Sequence, residues 1–345
     1  MKILMSSSTN RTLLAPQYVD ELRMRGHEVH EIQHGLLDAT QKNIGLRFIN
    51  NKLLKKRNVR LLSEELVQQI SAVKPEICLV FKGMHYSPEC LASIKREGTK
   101  LVNLNPDHPT KYGPNQGNQN VKESISLFDL YITFSEIIKN ELENSCTDSN
   151  CAVIPFGYGL TRQQFNSLAN VPEINRACFV GMADKHRARK LNTLATENTP
   201  IDVYGKGWFK YKLQLGKYVR TFPEITGMDY WRVLKAYRVQ LNLLRYQNTG
   251  MHNMRSFEIP GAGGIMLCPY TDEHANYFND GSQIFLYSST AEAKCKLGML
   301  LRMEKQRVNE VRRSARQHSE ESKYHYSYRA EELEKLLDKV VQGVV

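Results

Sequence analysis

The sequence predicts an α/β protein built from two parallel sheets in tandem, with a cleft between them. Short apolar runs alternate with amphipathic helical stretches along most of the chain, as in parallel sheets covered by helices. The chain has 345 residues, which is long for one ordinary domain. The alternation stops once, over residues 156–171, where no helical or strand period is clear. We therefore expect two domains that meet in this stretch.

The first half begins with a strand, a helix and a second strand. Strands are predicted at residues 2–5 and 27–32, and the helix at 13–25 ends before Gly26, a favoured residue after a helix C-terminus. The loop after the first strand reads SSSTN and lacks the spacing G-x-G-x-x-G. That spacing lets a dinucleotide pyrophosphate approach the backbone, so its absence argues against a dehydrogenase.

The remaining elements follow from the same periodicities. Further strands are predicted at residues 77–81, 99–104, 129–135, 152–155, 177–180, 202–204, 239–244, 265–268 and 282–286. Helices are predicted at residues 59–73, 88–97, 136–143, 186–195, 228–236 and 291–301, followed by a helical tail from 302 to 337 with a break at 324–328. Residues 110–120 are expected to form a mobile loop, and an acidic loop is expected after Pro269.

The charge and cysteine content limit the class of protein. A net charge of +11 indicates an anionic partner, for which nucleotide phosphates, an anionic surface and nucleic acid are candidates. Basic clusters occur at residues 52–60, 185–190, 206–217 and 302–316, although a solvated helix face also explains the last. The seven cysteines form no zinc pattern, which favours a reduced, cytoplasmic protein without structural metal. No run of about 18 apolar residues predicts a membrane span.

The stretch from residue 241 to 280 contains the clearest candidate site. A helical patch with Arg255 and Glu258 lies between two apolar runs and is followed by Gly261, Gly263 and Gly264. A carboxylate beside a cation and uncovered backbone suits a sugar nucleotide, whose hydroxyls and phosphates need these partners. Proline is unfavourable inside a helix, so we expect the helix to kink or start late at position 260.

Four pieces of the sequence resemble one known family. They read FKGMHYSPECLASIKREGTKLVNLNPDHP, FVGMADKHRARKL, VYGKGW and RSFEIPGAGGIMLCPYTDEHANYF, and they cover about residues 76–290. In order and content they resemble the CgeB-like (spore maturation protein B) glycosyltransferases of the group-1, GT-B superfamily. The resemblance implies two Rossmann-like domains facing a central cleft, with an acceptor domain at residues 1–160 and a nucleotide-sugar donor domain at 161–320. It also implies that a C-terminal helix, 321–345, packs back on the N-terminal domain.

The resemblance assigns roles to some of these residues. It implies that Glu258 contacts the donor ribose and that transfer needs no metal. Group-1 enzymes often carry a second Glu eight positions earlier, where this chain has Gly250. The stereochemistry of transfer therefore stays open.

Other candidate donor residues follow from their positions at strand ends. Arg245 or Arg255 could neutralise a diphosphate by bidentate contact, and a surface ion pair is the alternative role for either. Gly181 allows the backbone to approach a phosphate closely. Arg187 follows within one helical turn and could reach that phosphate, although its side chain could equally be solvated. Gly205 could border the base pocket together with Trp208, although Trp208 could simply anchor the core.

An acceptor hydroxyl needs a base if transfer inverts the anomeric centre. Asp107 and His108 lie on a proline-fixed loop at a strand end and are the first candidates, followed by His85. A loop-capping role is the alternative for Asp107.

The sequence therefore predicts a hexosyltransferase-type glycosyltransferase that uses a nucleotide sugar and neither metal nor cofactor. The acceptor could be a glycan, a lipid-linked molecule, a protein or a nucleic acid. Two alternatives stay open, a nucleotide-sugar epimerase of GT-B type and a non-catalytic basic protein that binds nucleic acid or an anionic surface. A cytoplasmic location is expected, with peripheral membrane contact as an option.

Overall fold

The computed structural model describes residues 1–7, 14–33, 55–113, 116–145 and 149–344. The loop positions 8–10, positions 52–54 of the first basic cluster, positions 114 and 115 of the predicted mobile loop, and Cys146 lie outside these ranges. The chain divides into two compact units. The first comprises Met1–Pro155 with Tyr326–Val345, and the second comprises Phe156–His325.

The first unit contains a six-stranded parallel sheet with the spatial order β2-β1-β3-β4-β5-β6. Its strands are β1 Lys2–Ser7, β2 Glu28–Gln33, β3 Ile77–Phe81, β4 Lys100–Leu104, β5 Leu130–Thr133 and β6 Cys151–Val153. Its first helices are α1 Leu14–Met24, α2 Lys55–Val73, α3 Pro88–Arg96, α4 Gln119–Glu123 and α5 Glu136–Ser145. The strands β3, β4 and β5 are almost wholly buried, which explains the apolar run of β3 and the mainly apolar sequences of β4 and β5.

The second unit contains another six-stranded parallel sheet, ordered β9-β8-β7-β10-β11-β12. Its strands are β7 Ile174–Val180, β8 Ile201–Tyr204, β9 Val219–Phe222, β10 Tyr237–Leu241, β11 Met266–Pro269 and β12 Phe285–Tyr287. Its helices are α6 Arg162–Ser167, α7 Lys185–Leu194, α8 Gly227–Ala236, α9 Arg255–Gly261, α10 Asp272–Tyr277, α11 Thr290–Leu301 and α12 Lys305–Glu321.

The last helix, α13 (Tyr326–Gln342), belongs to the first unit. It packs against α1, where the rings of Tyr18 and Tyr326 meet edge to face at 5.8 Å between centroids. The Glu334 carboxylate lies 2.5 Å from Arg25 and 2.8 Å from His27, just beyond the end of α1. The C-terminal helix therefore covers part of the N-terminal sheet's outer layer.

Several predicted elements differ from the structure. Strand β9 was not predicted, because this short edge strand has two exposed residues between two half-buried ones instead of an apolar run. The expected acidic loop after Pro269 is the helix α10, which begins where the Thr271 hydroxyl accepts a hydrogen bond from the His274 amide. The expected loop at 110–120 runs into α4, which is capped in the same way by Asn118.

The prediction for Pro260 was wrong about where the helix begins. Helix α9 begins at Arg255, well before the proline, and ends one residue after it. Proline lacks the amide that would bond the carbonyl four residues earlier, so its cost falls on the preceding turn, and the helix ends one residue after it.

No helix in the described ranges is long and apolar enough to cross a membrane. The six described cysteines are free thiols.

Candidate functional site

The order of the second sheet places a crevice between β7 and β10. The chain runs outward from β7 to β9 on one side and from β10 to β12 on the other, so the direction of winding reverses between these two strands. In open α/β sheets, ligands bind outside the carboxyl ends of the strands at such a point. Gly181 and the loop after Leu241 leave the sheet there.

Two glycines let the backbone segments at this edge approach each other closely. Gly205 has φ +144°, and a Cβ there would come within 2.1 Å of the Gly181 carbonyl oxygen. The Trp208 indole donates a hydrogen bond of 2.9 Å to the same oxygen. Trp208 is itself buried in the core of this unit, so it anchors the core and also fixes the end of β7.

Arg187 joins the two sides of the crevice. Its Nε and Nη2 donate to the Leu243 carbonyl oxygen at 3.1 and 2.8 Å, and its Nη1 donates to the Met182 carbonyl oxygen at 3.2 Å. Asp184 caps the first turn of α7 by accepting a hydrogen bond from the Arg187 amide. Burial lowers the pKa of Arg187 to about 10, so the side chain keeps its charge at neutral pH. The structure therefore shows Arg187 as a buried clamp and not as a solvated residue.

Arg255 and Glu258 meet beside the end of β7. Arg255 Nε donates to the Val180 carbonyl oxygen at 3.2 Å, and Nη1 pairs with Glu258 Oε2. The Tyr230 hydroxyl donates to the same Oε2 at 2.8 Å, and the guanidinium lies 4.6 Å from the centroid of the Tyr230 ring. Glu258 is only 5% exposed, which excludes the solvated role usual for Glu. Within the residues that the structure describes, Oε1 of Glu258 accepts no hydrogen bond.

The three arginines of this edge lie close together. Arg245 and Arg255 both help to lower the pKa of Arg187, after the larger effect of burial. Arg245 is half-exposed, and its Nη2 contacts the Met182 sulfur at 3.7 Å. Asp184, 3.4 Å from Arg187 Nε, and Glu258, paired with Arg255, offset two of these charges. Arg245 is thus the cation of this edge whose guanidinium is open to solvent.

A buried polar network holds the start of α9. The Glu273 carboxylate accepts from the His252 amide at 2.8 Å and lies 2.6 Å from its Nδ1. His274 Nδ1 donates to the Pro269 carbonyl oxygen at 3.1 Å, so its Nε2 accepts from the Ser256 hydroxyl at 2.8 Å. Burial, and secondarily His252, lower the pKa of His274 to about 4, which keeps the ring neutral. This network fixes the position from which Arg255 and Glu258 project.

The glycines after α9 have a different place. Gly263 and Gly264 directly precede β11 and therefore lie at the amino edge of the parallel sheet, opposite Gly181. A Cβ on Gly264 would come within 2.9 Å of the Leu234 carbonyl oxygen, and Gly263 has φ +66°. The structure thus does not bring these two glycines together with the other candidate donor residues, and both are explained by packing and backbone conformation.

In the first unit, Asp107 follows β4. Its carboxylate lies 2.5 Å from the Lys82 ammonium, and its amide donates to the Asn105 side chain at 3.0 Å. Lys82 directly follows β3 and has φ +64°, a left-handed conformation that is costly for a residue with a Cβ. The Lys82–Asp107 pair therefore joins two adjacent strand ends of this sheet.

His108 is buried and engaged at both ring nitrogens. Nδ1 accepts from the amides of Thr110 and Lys111 at 3.3 and 3.1 Å, so Nε2 carries the hydrogen that is donated to Glu141 Oε2 at 3.1 Å. Burial lowers the pKa of His108. His108 thus anchors the loop, whereas His85 is exposed in the turn after β3.

Sequence reasoning missed Tyr230, His252 and the Ser256–His274 pair. Only the density of His, Asn and Ser around residues 242–256 could have indicated a polar network there. Among the described residues, no group of three or more His, Cys, Asp and Glu side chains is arranged to hold a metal ion.

Comparisons with known proteins agree with this architecture. Residues 186–335 match the model of a family described as glycosyl transferase-like. Sucrose-phosphate synthase from Thermosynechococcus elongatus has a TM-score of 0.73 at 10% identity, over 99% of this chain and 100% of that chain. Anabaena HepE in complex with UDP-glucose has a TM-score of 0.65 at 11% identity, over 98% and 100%. The fold is GT-B.

The GT-B fold also includes an enzyme of another class. UDP-GlcNAc 2-epimerase from Neisseria meningitidis, bound to UDP-GlcNAc, has a TM-score of 0.59 at 11% identity, over 98% of this chain and 100% of that chain. At these identities the likeness concerns the GT-B fold alone. No curated protein matches the sequence.

Proposed function

We propose that this GT-B protein is a metal-independent glycosyltransferase that uses a nucleotide-sugar donor. The observation that carries the proposal is the Arg255–Glu258–Tyr230 group beside the β7–β10 crevice, next to Arg245. The match of residues 186–335 to a glycosyl transferase-like model supports it, as does the UDP-glucose bound by Anabaena HepE. Assignment to hexosyl transfer and to the CgeB-like subfamily remains a prediction from the sequence.

The donor is proposed to lie across the crevice. The open Oε1 of Glu258 accepts a ribose hydroxyl, while Arg245 and Arg255 offset the charge of the diphosphate. The Gly181 amide already donates to the Tyr204 carbonyl oxygen at 2.9 Å, so Gly181 contributes close backbone packing and the arginines meet the phosphate. An acceptor oxygen forms a bond to the anomeric carbon, and the bond from that carbon to the diphosphate oxygen breaks. The same cations stabilise the nucleoside diphosphate as it leaves.

The proton of the acceptor hydroxyl must be taken up by a base. We propose Asp107 as the base, since its carboxylate lies at a strand end beside Lys82. His108 then acts by positioning the loop through its bonds to Thr110, Lys111 and Glu141. The role of His85 stays a prediction, and the stereochemistry stays open.

The donor role of Glu258 is tested by titrating nucleotide sugars. A panel of UDP-, GDP- and TDP-sugars should include one that raises the unfolding temperature, because ligands that bind the folded state stabilise it. Glu258→Ala should weaken that ligand at least tenfold, while the exposed Glu197→Ala in the same unit leaves its affinity unchanged. Equal affinity in both variants would refute the ribose contact, and a panel without any ligand would refute the transferase.

The second candidate function is a nucleotide-sugar epimerase. The similarity to the Neisseria meningitidis enzyme favours it, because that protein has the same fold and binds UDP-GlcNAc. Incubation with UDP-GlcNAc and no acceptor separates the two functions. An epimerase yields a second sugar nucleotide, seen by NMR, whereas a transferase leaves the stereochemistry at C2 unchanged.

Contact with an anionic surface is a further proposal, supported by the segment 206–217. Phe209 and Leu213 are 76% and 103% exposed there, among Lys206, Lys210, Lys212 and Lys217. Apolar residues within a basic segment favour the interface of an anionic bilayer. Phe209→Ala with Leu213→Ala should lower sedimentation with phosphatidylserine vesicles severalfold. Unchanged sedimentation would contradict the contact, and binding to nucleic acid instead would favour the non-catalytic alternative. The cytoplasmic location is likewise a proposal.

A further inference from the structure

A second concave site lies at the opposite edge of the same sheet. A cavity of about 680 Å³ is lined by the segment 165–173, by Lys235 at the end of α8 and by one face of α12. Glu173 directly precedes β7, and Lys235 lies just before β10. Since the strands are parallel, this cavity is at the amino edge, away from Gly181 and Arg245.

The lining of this cavity has more cations than carboxylates. Its charged members are Lys235, Lys305, Arg312, Arg313 and Arg316, with Glu173 and Glu320. Arg312 pairs with Glu173 at 2.8 Å and Arg316 pairs with Glu320 at 2.6 Å, so both carboxylates are engaged. Within the ranges that the structure describes, no carboxylate lies within ion-pair distance of the other three cations. The cavity therefore carries an uncompensated positive charge.

Lys235 is the most buried of the three cations that have no carboxylate partner among the described residues. Its ammonium is half-buried and lies 5.0 Å from the centroid of the Phe165 ring. Burial, together with the charges of Arg312 and Arg316, lowers its pKa to about 8. The Nε atoms of Arg312 and Arg316 are also buried without an acceptor in the described part of the chain. Buried cationic donors are costly unless an anion or acceptor meets them.

We propose that this cavity is a binding site for a small phosphorylated molecule. Its phosphoryl group is held by Lys235, Lys305 and Arg313, because guanidinium and ammonium groups are the usual partners of phosphate in proteins. The volume exceeds what a phosphate fills and lies in the range of small-molecule pockets. The apolar wall of Phe165, Val171 and Pro172 receives the organic part of the ligand.

The cavity also touches the far end of α9. Arg316 donates to the Gly261 carbonyl oxygen, and a Cβ on Gly263 would lie 3.2 Å from the Lys235 ammonium. The first turn of α9 carries Arg255 and Glu258. A ligand in the cavity would therefore order the helix that also supplies the candidate donor site. Binding itself does not depend on the proposed transferase activity.

The test is calorimetric titration with inorganic pyrophosphate at constant ionic strength. Wild-type protein should show saturable binding, and Lys235→Met combined with Arg313→Gln should weaken it at least tenfold. Lys294→Gln, which removes an exposed cation of α11, is the control and should bind like wild type. Arg245→Gln removes a cation of the proposed donor site, and the binding that depends on Lys235 and Arg313 should persist in that variant. Lys305→Gln, which is exposed on α12 and cannot disturb the core, should weaken binding severalfold.

Each other outcome overturns the proposal. The cavity binds no phosphate if wild-type protein shows no saturable heat, or if the Lys305→Gln and double variants titrate like wild type. Loss of binding in Arg245→Gln alone would place the pyrophosphate at the carboxyl edge of the sheet. Equal weakening in all variants, including Lys294→Gln, would mean that only the net charge matters.

Discussion

Ser256 and His274 show how single side chains support the candidate donor site without contacting a ligand. The hydroxyl of Ser256, in the first turn of α9, donates to the neutral His274 ring, and that ring donates to the Pro269 carbonyl oxygen. Because both partners are buried, each hydrogen bond replaces one that water can no longer supply. Without these two hydrogen bonds, the first turn of α9, which carries Arg255, would no longer be held in place.

The burial of His274 predicts a pH dependence of stability. Its folded pKa of about 4 lies below the unfolded value of 6.5, so the contribution is complete above pH 6.5 and is lost as the pH falls towards 4. At pH 5 the lost stability is about 2 kcal/mol. His274→Gln should flatten the pH dependence of the urea midpoint between pH 7.5 and 5, whatever its midpoint at neutral pH.

The exposed His186 provides the control for this measurement. His186→Gln should keep the wild-type pH dependence. If His274→Gln kept it too, another group would be the one that titrates.

At the scale of elements, α9 links the two edges of the second sheet. It begins beside the end of β7 and finishes against Tyr158, where Gly261 leaves room for the ring. A Cβ on Gly261 would lie 2.5 Å from that ring, which is also held by the Arg316 guanidinium at 5.1 Å. The glycine is therefore needed for close packing and not for a special backbone angle.

Gly261→Ala should lower the free energy of unfolding by about 1–3 kcal/mol, as overpacking does in other cores. Gly298→Ala is the matched control, since it also lies in a helix and its Cβ would meet only the flexible end of Arg302 at 3.3 Å. That control should be neutral or stabilising by up to about 1 kcal/mol. Chemical denaturation of both variants measures the difference, and equal destabilisation would show that helix position alone sets the cost.

At the scale of the whole molecule, the last helix, α13, is part of the first unit. Helix α13 buries Leu333, Leu337 and Val340 there, and its Glu334 pairs with Arg25 and His27. The N-terminal unit is thus built from two segments that are far apart in sequence. The stability of this unit therefore depends on α13.

Leu337→Ala should destabilise the first unit by about 2–5 kcal/mol, because it leaves a cavity at a fully buried position. Hydrogen exchange should quicken in α1 and leave the amides of β10 unchanged. Val341→Ala, at a position that is 39% exposed, should change neither. Faster exchange in β10 alone would contradict this assignment of α13.

The sequence by itself was sufficient for the α/β class, for most of the strands and helices, and for the segment that carries Arg255 and Glu258. These features depend on periodicity and on local residue chemistry, which are readable along the chain. The short edge strand β9 was not predicted, because an edge strand needs no apolar run. The helix α10 was not predicted, because six residues are too few to show a helical period.

Only the tertiary structure decided which partners surround these residues. Tyr230 lies 28 positions from Glu258, and Arg187 reaches the carbonyl of a residue 56 positions away. The strand order places Gly181 at the crevice, and the parallel direction of the strands places Gly264 at the opposite edge. Sequence patterns report the local period of burial, whereas contacts between distant residues depend on how the strands are ordered in the sheet. For that physical reason the carboxylate could be found in the sequence, and its hydrogen-bond partners only in the fold.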